Sequence, residues 1–458
     1  MSQQRPAKPP LLYLDNAVTT LCSREAIEAM TAWVNQGSAD AGYANARRVR
    51  EMLDGLRRRI AQDCGFELSG PKEYRVVFTS GAAEANSFII TSAVRAYTAR
   101  TGYLPHVATS AAEHPSVLGC CRGLAADKLC QHTEIPVATD GPRRGTVSVE
   151  ALEEALRVNT CLVSITAANH ETGARNDLRE LSRIAHAAQV PFHTDAAQVF
   201  GRCEFRPLFL GADAFSVSFR KLHAPPGTGA LVLRQSLISG YQLPPLIYGG
   251  AGPAGSAESL RGGAENLPGL AAATVALRAA MTGLAERSAR VAGLRDRIWA
   301  ALCARLPCFP VDAHPPDPPA SIDGGITPAP PARHRGTPEA VKALAESEKR
   351  GTPVVFRIGD AAASTPGHLL LAVRLRGTPE AVRAELERRG VLVSLTSPGS
   401  TTLAAMGVPQ ALRAALRVCV SDETSEADAD AFVQHFVAAV AAVAAAPAPA
   451  PAPAPRKR

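Results

Sequence analysis

Two cations end an apolar run in DAFSVSFRKLHAPPGTGALVL, residues 213–233. Arg220 and Lys221 follow Phe215, Val217 and Phe219, and Pro225-Pro226-Gly227 breaks the chain before a second apolar run begins at Ala230. Lysine and arginine are seldom fully buried unless paired or used, so a lysine at the end of a buried strand either emerges into solvent or serves chemistry. A desolvated amine can act as a nucleophile and as a proton carrier. Other polar residues recur at the same kind of place, just past an apolar run: His114 in AAEHPSV, His170 in AANHETG, and Asp195 with Gln198 in HTDAAQ. Earlier still, TSGAAEAN (79–86) puts small residues, Ala82 and Ala83 among them, where a helix would begin. Such a turn offers backbone N–H groups and a positive helix end to an anion such as phosphate. Singly these features have bland readings, a packed Gly-Ala turn or a lysine in a salt bridge; their weight lies in the ensemble.

Positioning that ensemble requires an open sheet. Strand-like runs at 74–80 (YRVVFTS), 106–110 (HVATS), 161–167 (CLVSITA), 191–197 (PFHTDAA), 213–219 (DAFSVSF) and 229–234 (GALVLR) alternate with helical stretches. This is the pattern of a mostly parallel sheet covered on both faces, and such sheets bind ligands at the carboxyl ends of their strands. It predicts an α/β domain over 15–280, after an N-terminal extension (1–14). A helical pattern then leads away as a linking helix (281–308). Residues 309–440 read as a smaller α+β domain carrying a proline-rich insertion near its start, and 441–458 as an extended Ala/Pro tail. Within the small domain RGTPEAVKAL (335–344) returns as RGTPEAVRAEL (376–386), each with Thr as a helix cap and Pro in the first turn. Two copies indicate a local duplication.

The 458 residues are 46% hydrophobic and 20% charged, an ordinary globular balance sufficient for more than one core. The net charge of +7 is spread through helical stretches instead of forming a block, and aromatic residues make up only 5%. Both points favour small anionic ligands over nucleic acid. Ten cysteines occur without CxxC spacing and read as free thiols of a reducing compartment, with no metal site. MSQQRPAKPP lacks the apolar segment of a secretory signal, and the Ala-rich run near the C-terminus is too short for a membrane span. The expectation is a cytoplasmic protein; the terminal RKR admits a nuclear one.

One ligand accounts for a phosphate cradle, a histidine able to face a ring, a buried aspartate and a strand-end lysine together: pyridoxal 5′-phosphate. The lysine amine forms a Schiff base with its aldehyde, and the aspartate pairs its ring nitrogen. YLDNAVTT (13–20), FTSGAAEAN (78–86), EHPSVL (113–118), VSITAANHETG (163–173), HTDAAQVFGR (193–202), SVSFRKLHAPPGTGALVLR (216–234) and LRGGAENLPG (260–269) follow one another in order and spacing. In this the chain resembles the cysteine desulfurase and selenocysteine lyase group of class V, fold-type I pyridoxal-phosphate enzymes, over about residues 13–440. The resemblance implies an α/β fold-type I transferase fold, with a large mostly parallel sheet domain and a smaller C-terminal α+β domain. It implies Lys221 as the cofactor lysine, His114 stacked on the ring and Asp195 at the ring nitrogen. Gln198 and His170 would lie near the ring hydroxyl, Ala82, Ala83, Ser218 and Arg220 at the phosphate, and Arg417 on the substrate's carboxylate. Lys221 and His114 would be the catalytic pair. A small amino-acid substrate, a homodimer and a sulfur- or selenium-accepting protein are the implied partners, with no membrane.

The chain also departs from that family. Ser218-Phe219-Arg220 stands where Ser-Gly-His is usual, His170 stands for an asparagine, and Ala83 and Ala264 stand for threonines whose hydroxyls meet the phosphate. In the small domain GVLVSLTSPGSTTLAAMGVP (390–409) has Pro398-Gly399 near the place of a loop cysteine that takes the substrate's sulfur, and no thiol in the segment. Three readings stay open: a lyase cleaving C–S or C–Se to leave alanine, a class V enzyme of another reaction type such as an aminotransferase, and a non-catalytic binding scaffold.

Overall fold

The computed structural model describes residues 11–36, 43–69, 73–250, 257–313 and 342–446, apart from 343, 344 and 348. Most of the proline-rich insertion, the whole of the first RGTPEAV copy (335–341), and the tail after residue 446 with its RKR lie outside the described residues.

A short strand β1 (Leu12–Tyr13) precedes β2 (Tyr74–Thr79), β3 (His106–Ser110), β4 (Gln131–Ile135), β5 (Thr160–Ser164), β6 (Phe192–Asp195), β7 (Ala214–Ser218) and β8 (Gly229–Arg234). The last seven form the central sheet in the order β2-β8-β7-β6-β5-β3-β4. Pairing is parallel from β7 across to β4, and β8 runs antiparallel to both of its neighbours. Every residue of β3, β5, β6 and β7 is buried, which is why these runs read as continuous apolar segments. β4, the polar QHTEI, is a half-exposed edge and carries no such signal. Helices follow β2, β3, β4 and β5, and because β3, β5 and β6 run parallel the loops carrying His114, His170 and Asp195 emerge at one end of the sheet.

The expected linking helix is Leu284–Cys303, and the helix Leu267–Met281 meets it at a 78° bend. The bend falls at Thr282-Gly283, where Gly283 has φ +61, a left-handed conformation glycine adopts without penalty. Beyond it β9 (Cys308–Pro310), β10 (Val354–Ile358), β11 (His368–Arg374), β12 (Val391–Leu392), β13 (Ser394–Leu395) and β14 (Ala415–Cys419) follow. A five-stranded sheet orders these as β13-β14-β11-β10-β9, and β12 pairs with β1. The helix Glu426–Ala445 is long and apolar enough to cross a membrane by composition. Its Phe432, Val433, Phe436 and Val440 are at most 1% exposed, in one core with Ile298 and Leu302 of the linking helix.

Two segments differ from the expected boundaries. That C-terminal helix continues through Ala445, into the stretch expected to be an extended tail, because Ala-rich sequence keeps high helix propensity. The N-terminal extension is partly structured: Leu12 and Tyr13 pair in parallel with Val391 and Leu392. This pairing lays Asp15 and Asn16 against β14, where Asn16 Nδ2 donates to the Cys419 carbonyl at 2.8 Å.

Candidate active site

Lys221 ends a single 3₁₀ turn directly after β7. The turn is held from outside: Thr20 N and Thr20 Oγ1 each donate to the Arg220 carbonyl at 3.0 Å, and His223 N donates back to Thr20 Oγ1 at 2.6 Å. The lysine is only 7% exposed. Burial pulls its amine down to about 7, opposed by Asp195 and reinforced by the charges of Arg220, Arg202 and Arg417. A buried cation destabilised in this way is the form in which a lysine becomes a nucleophile near neutral pH.

Asp195, at the end of β6, is fixed on both oxygens. Oδ1 accepts from Ala197 N at 2.9 Å, and Oδ2 accepts from Asn86 Nδ2 at 2.8 Å. The same Asn86 nitrogen reaches Ser116 Oγ at 2.9 Å, which ties the aspartate to the start of the helix Pro115–Ala126. His114 caps that helix: its Nδ1 accepts from Ser116 N at 3.1 Å, so the neutral ring carries its proton on Nε2. Its ring meets that of His170 edge-to-face, centroids 4.9 Å apart. Burial lowers the pKa of His114 and, more strongly, that of His170, so both are neutral imidazoles at neutral pH. His170 Nδ1 is buried without a partner.

Ala82 and Ala83 open the helix Ala82–Thr101, whose N-terminus has no side-chain cap. Behind that turn, a Cβ on Gly229 of β8 would stand 2.5 Å from Gly81 Cα and 2.6 Å from the Val217 carbonyl. Glycine at 229 therefore lets the turn sit on the strand, with its free N–H groups past the sheet edge. Ser218 is 4% exposed beside it, register partner of Gly229.

Two of the expected cofactor residues have partners in the N-terminal segment. Arg220, expected at the phosphate, donates through Nη1 to the Val18 carbonyl. Gln198, expected near the ring hydroxyl, donates to the Ala17 carbonyl at 3.1 Å and accepts from Arg202 at 2.9 Å.

Arg417, on β14, is 8% exposed and crosses to the large domain. Its Nη1 donates to the His170 carbonyl at 3.0 Å, and its Nη2 donates to Ser394 Oγ at 2.8 Å and to Asp15 Oδ1 at 3.4 Å. Its Nε has no partner. The segment after β13 that lacks a thiol lies at the same edge: Ser400 Oγ donates to Glu171 Oε2 at 2.8 Å, next to His170. Cys419, the cysteine beside Arg417, is fully buried and accepts from Arg202 Nη2 at 3.0 Å.

Several members of the site escaped the sequence reading. Asn86, Arg202 and Asp15 act through partners remote in sequence. Glu113 did carry a signal, its place before His114. It is fully buried, accepts from Ser110 Oγ and from Thr166 N at 2.7 Å each, and so braces the ends of β3 and β5 together. Burial pushes its carboxyl up to about 8.

The sequence profile of the family described as Aminotransferase class-V matches residues 12–304. The chain belongs to the class-V aminotransferase family. Within that family it is 34% identical, over 297 residues, to a cysteine desulfurase of Gluconacetobacter diazotrophicus, covering 64% of this chain and 69% of that one. It is 34% identical over 305 residues to an IscS-like cysteine desulfurase of Mycobacterium tuberculosis, covering 65% and 72%. Among solved structures a NifS-like protein superposes with a TM-score of 0.74 at 23% identity, over 94% of this chain and 99% of that one. The NifS-like protein of Rickettsia africae gives 0.72 at 22%, over the same shares. The fold is therefore fold-type I, and the family's cofactor is pyridoxal 5′-phosphate. The residues fit that group: a buried amine, an oriented carboxylate, a helix end without a side-chain cap and an imidazole nitrogen without a partner among the described residues are what an aldehyde, a pyridine nitrogen, a phosphate and a ring hydroxyl each require.

Proposed function

We propose that the chain cleaves the C–S bond of cysteine, or the C–Se bond of selenocysteine, leaving alanine. The observation that carries this reading is Lys221, an amine with a pKa of about 7 held between Asp195 and two neutral imidazoles in a family of cysteine desulfurases. Pyridoxal 5′-phosphate supplies, when bound, an electron sink for bond cleavage next to the substrate's amine-bearing carbon. Asp195, locked by Asn86 and Ala197, would hold its carboxyl group toward the ring nitrogen. Lys221 would hold the group through its amine and would move a proton at the substrate's α-carbon. His114, with its proton on Nε2, donates or accepts at the face of the ring. Arg417 takes the substrate's carboxylate.

Sulfur needs an acceptor. The balanced reaction is cysteine plus a thiol giving alanine plus a persulfide, and Pro398-Gly399 offers no thiol. In this reading the sulfur-accepting thiol is supplied by another molecule, an acceptor protein or a small thiol. A second copy is the other partner in this reading; exposed Leu21, Ile27 and Val34 on and beside the helix Arg24–Trp33 support an apolar contact there. The test is alanine release from cysteine and selenocysteine by wild type and by Lys221→Ala. Alanine from the wild type alone, with the visible absorbance of the lysine imine lost in the variant, supports the reading. Amino transfer to a keto acid without alanine refutes it.

A further inference from the structure

Among the described residues, three buried nitrogens near Lys221 have no hydrogen-bond partner: His170 Nδ1, Arg417 Nε and His368 Nε2. His368 has no part in the site as read so far. It opens β11 directly opposite Cys419 and is 1% exposed. Opposed residues of an antiparallel pair share a face, as do residues two apart along a strand, so His368, Cys419 and Arg417 look the same way. That way is into the site, since Arg417 there reaches the His170 carbonyl and Cys419 meets Arg202. The loop carrying His170 closes on the ring: a Cβ at Gly173, where φ is +78, would stand 2.7 Å from His368 Cβ and 2.9 Å from Cγ.

The hydrogen bonds decide the tautomer. Thr365 is fully buried, and its Oγ1 lies 2.6 Å from His368 Nδ1, its one hydrogen-bond partner among the described residues. If the hydroxyl accepted from Nδ1, its own hydrogen would be buried without an acceptor. The hydroxyl therefore donates to Nδ1, and the ring proton sits on Nε2. Burial, then the charges of Arg202, Arg417, Lys221 and His170, keep the ring neutral. With Nη1 and Nη2 of Arg417 engaged by His170, Ser394 and Asp15, the same face of the small-domain sheet carries two buried donors without a partner among the described residues, Arg417 Nε–H and His368 Nε2–H. An acceptor with two oxygens and one negative charge matches a cationic donor beside a neutral one.

Resting on the proposed function, we propose that His368 is a substrate-binding residue whose Nε2–H, together with Arg417 Nε–H, takes the carboxylate of the amino-acid substrate. Mercaptopropionate, which has the thiol and carboxylate of cysteine without the amine, isolates this contact. Cysteamine, which has the thiol and amine without the carboxylate, is the control. On the cofactor-loaded protein, calorimetry is expected to show His368→Phe weakening mercaptopropionate binding by about 10- to 100-fold, the worth of a hydrogen bond to a charged group. His368→Gln, whose amide nitrogen reaches the place of Nε2, is expected to stay within about threefold. KM for cysteine should rise in His368→Phe with kcat little changed, and cysteamine binding should be unaffected. Unchanged mercaptopropionate binding in His368→Phe, equal losses in His368→Phe and His368→Gln, an equal loss for cysteamine, or no binding by the wild type would each overturn the proposal. Wild type that releases alanine from cysteine while failing these tests refutes the role of His368 alone; wild type that releases none refutes the proposed function itself.

Discussion

The two walls of the site differ in what they leave open: among the described residues the large-domain wall leaves His170 Nδ1, Asn86 Oδ1 and Glu113 Oε2 without a partner around a fixed framework, and the small-domain wall leaves the nitrogens of its two cation-type side chains. On the large-domain wall Asp195 has both oxygens bonded, His114 is fixed by Ser116, and the Lys221 turn is pinned by Thr20. On the small-domain wall Arg417 and His368 each leave a nitrogen unanswered, and the segment docked on Glu171 ends in Pro398-Gly399 where a thiol would take sulfur. Preorganised groups on one wall serve a resident cofactor, and open donors on the other await a transient substrate. The large-domain wall is thus organised for the family's cofactor, and the small-domain wall carries Pro398-Gly399 and no thiol in the segment 390–409.

Removing the lysine should break the first wall outright. Lys221→Ala is expected to lower alanine formation by about a thousandfold or more, measured by single-turnover product analysis, with the imine absorbance lost. Arg417→Lys, which keeps charge and loses the fork, tests the second wall: KM for cysteine should rise by about 30- to 100-fold with a smaller change in kcat. A loss confined to kcat would place Arg417 on the cofactor side and erase the distinction.

Two smaller effects concern buried ionisation in the cofactor-free protein. Lys221 has a folded pKa of about 7, below its unfolded value, so between the two the unfolded chain binds more protons and stability rises with pH. Lys221→Met should therefore raise the melting temperature most below about pH 7, and the gain should shrink as the pH climbs toward the ordinary lysine range. Glu113 has the opposite sign. Its carboxyl at about 8 keeps a proton that the unfolded chain has lost, so its contribution falls as pH rises from the usual carboxylate range to about 8. Glu113→Gln should be near neutral in acid and stabilising above neutrality, by a few degrees in thermal melts.

The large-domain wall was legible because its members sit at or just past the carboxyl ends of local strands: one apolar run, one turn and one polar residue are enough to place His114, Asp195 or Lys221. The small-domain wall depends on register. His368 meets its neighbours only because β11 lies opposite β14 with His368 against Cys419, and Asp15 reaches Arg417 only because β1 pairs with β12. No local pattern in HLLLAVR distinguishes a site histidine from a core one. Arg220 and Gln198 show the same limit on the first wall: their positions were legible, but their partners Val18 and Ala17 come from the far N-terminal segment. β4 went unseen for another reason, since an edge strand needs little apolar character.

The central claim is that this chain keeps the cofactor half of the reaction and takes its sulfur acceptor from outside. The most direct measurement is single-turnover alanine release from cysteine with and without added thiol, with mass analysis of the protein, for wild type and Gly399→Cys. A Cβ at Gly399 would have only Ser397 Oγ within 4 Å, at 3.7 Å, so the variant fits. The account predicts wild-type release that requires added thiol and leaves the protein unmodified, and a persulfide on Gly399→Cys without added thiol. Thiol-independent release by the wild type, with a persulfide on one of its own cysteines, would contradict it.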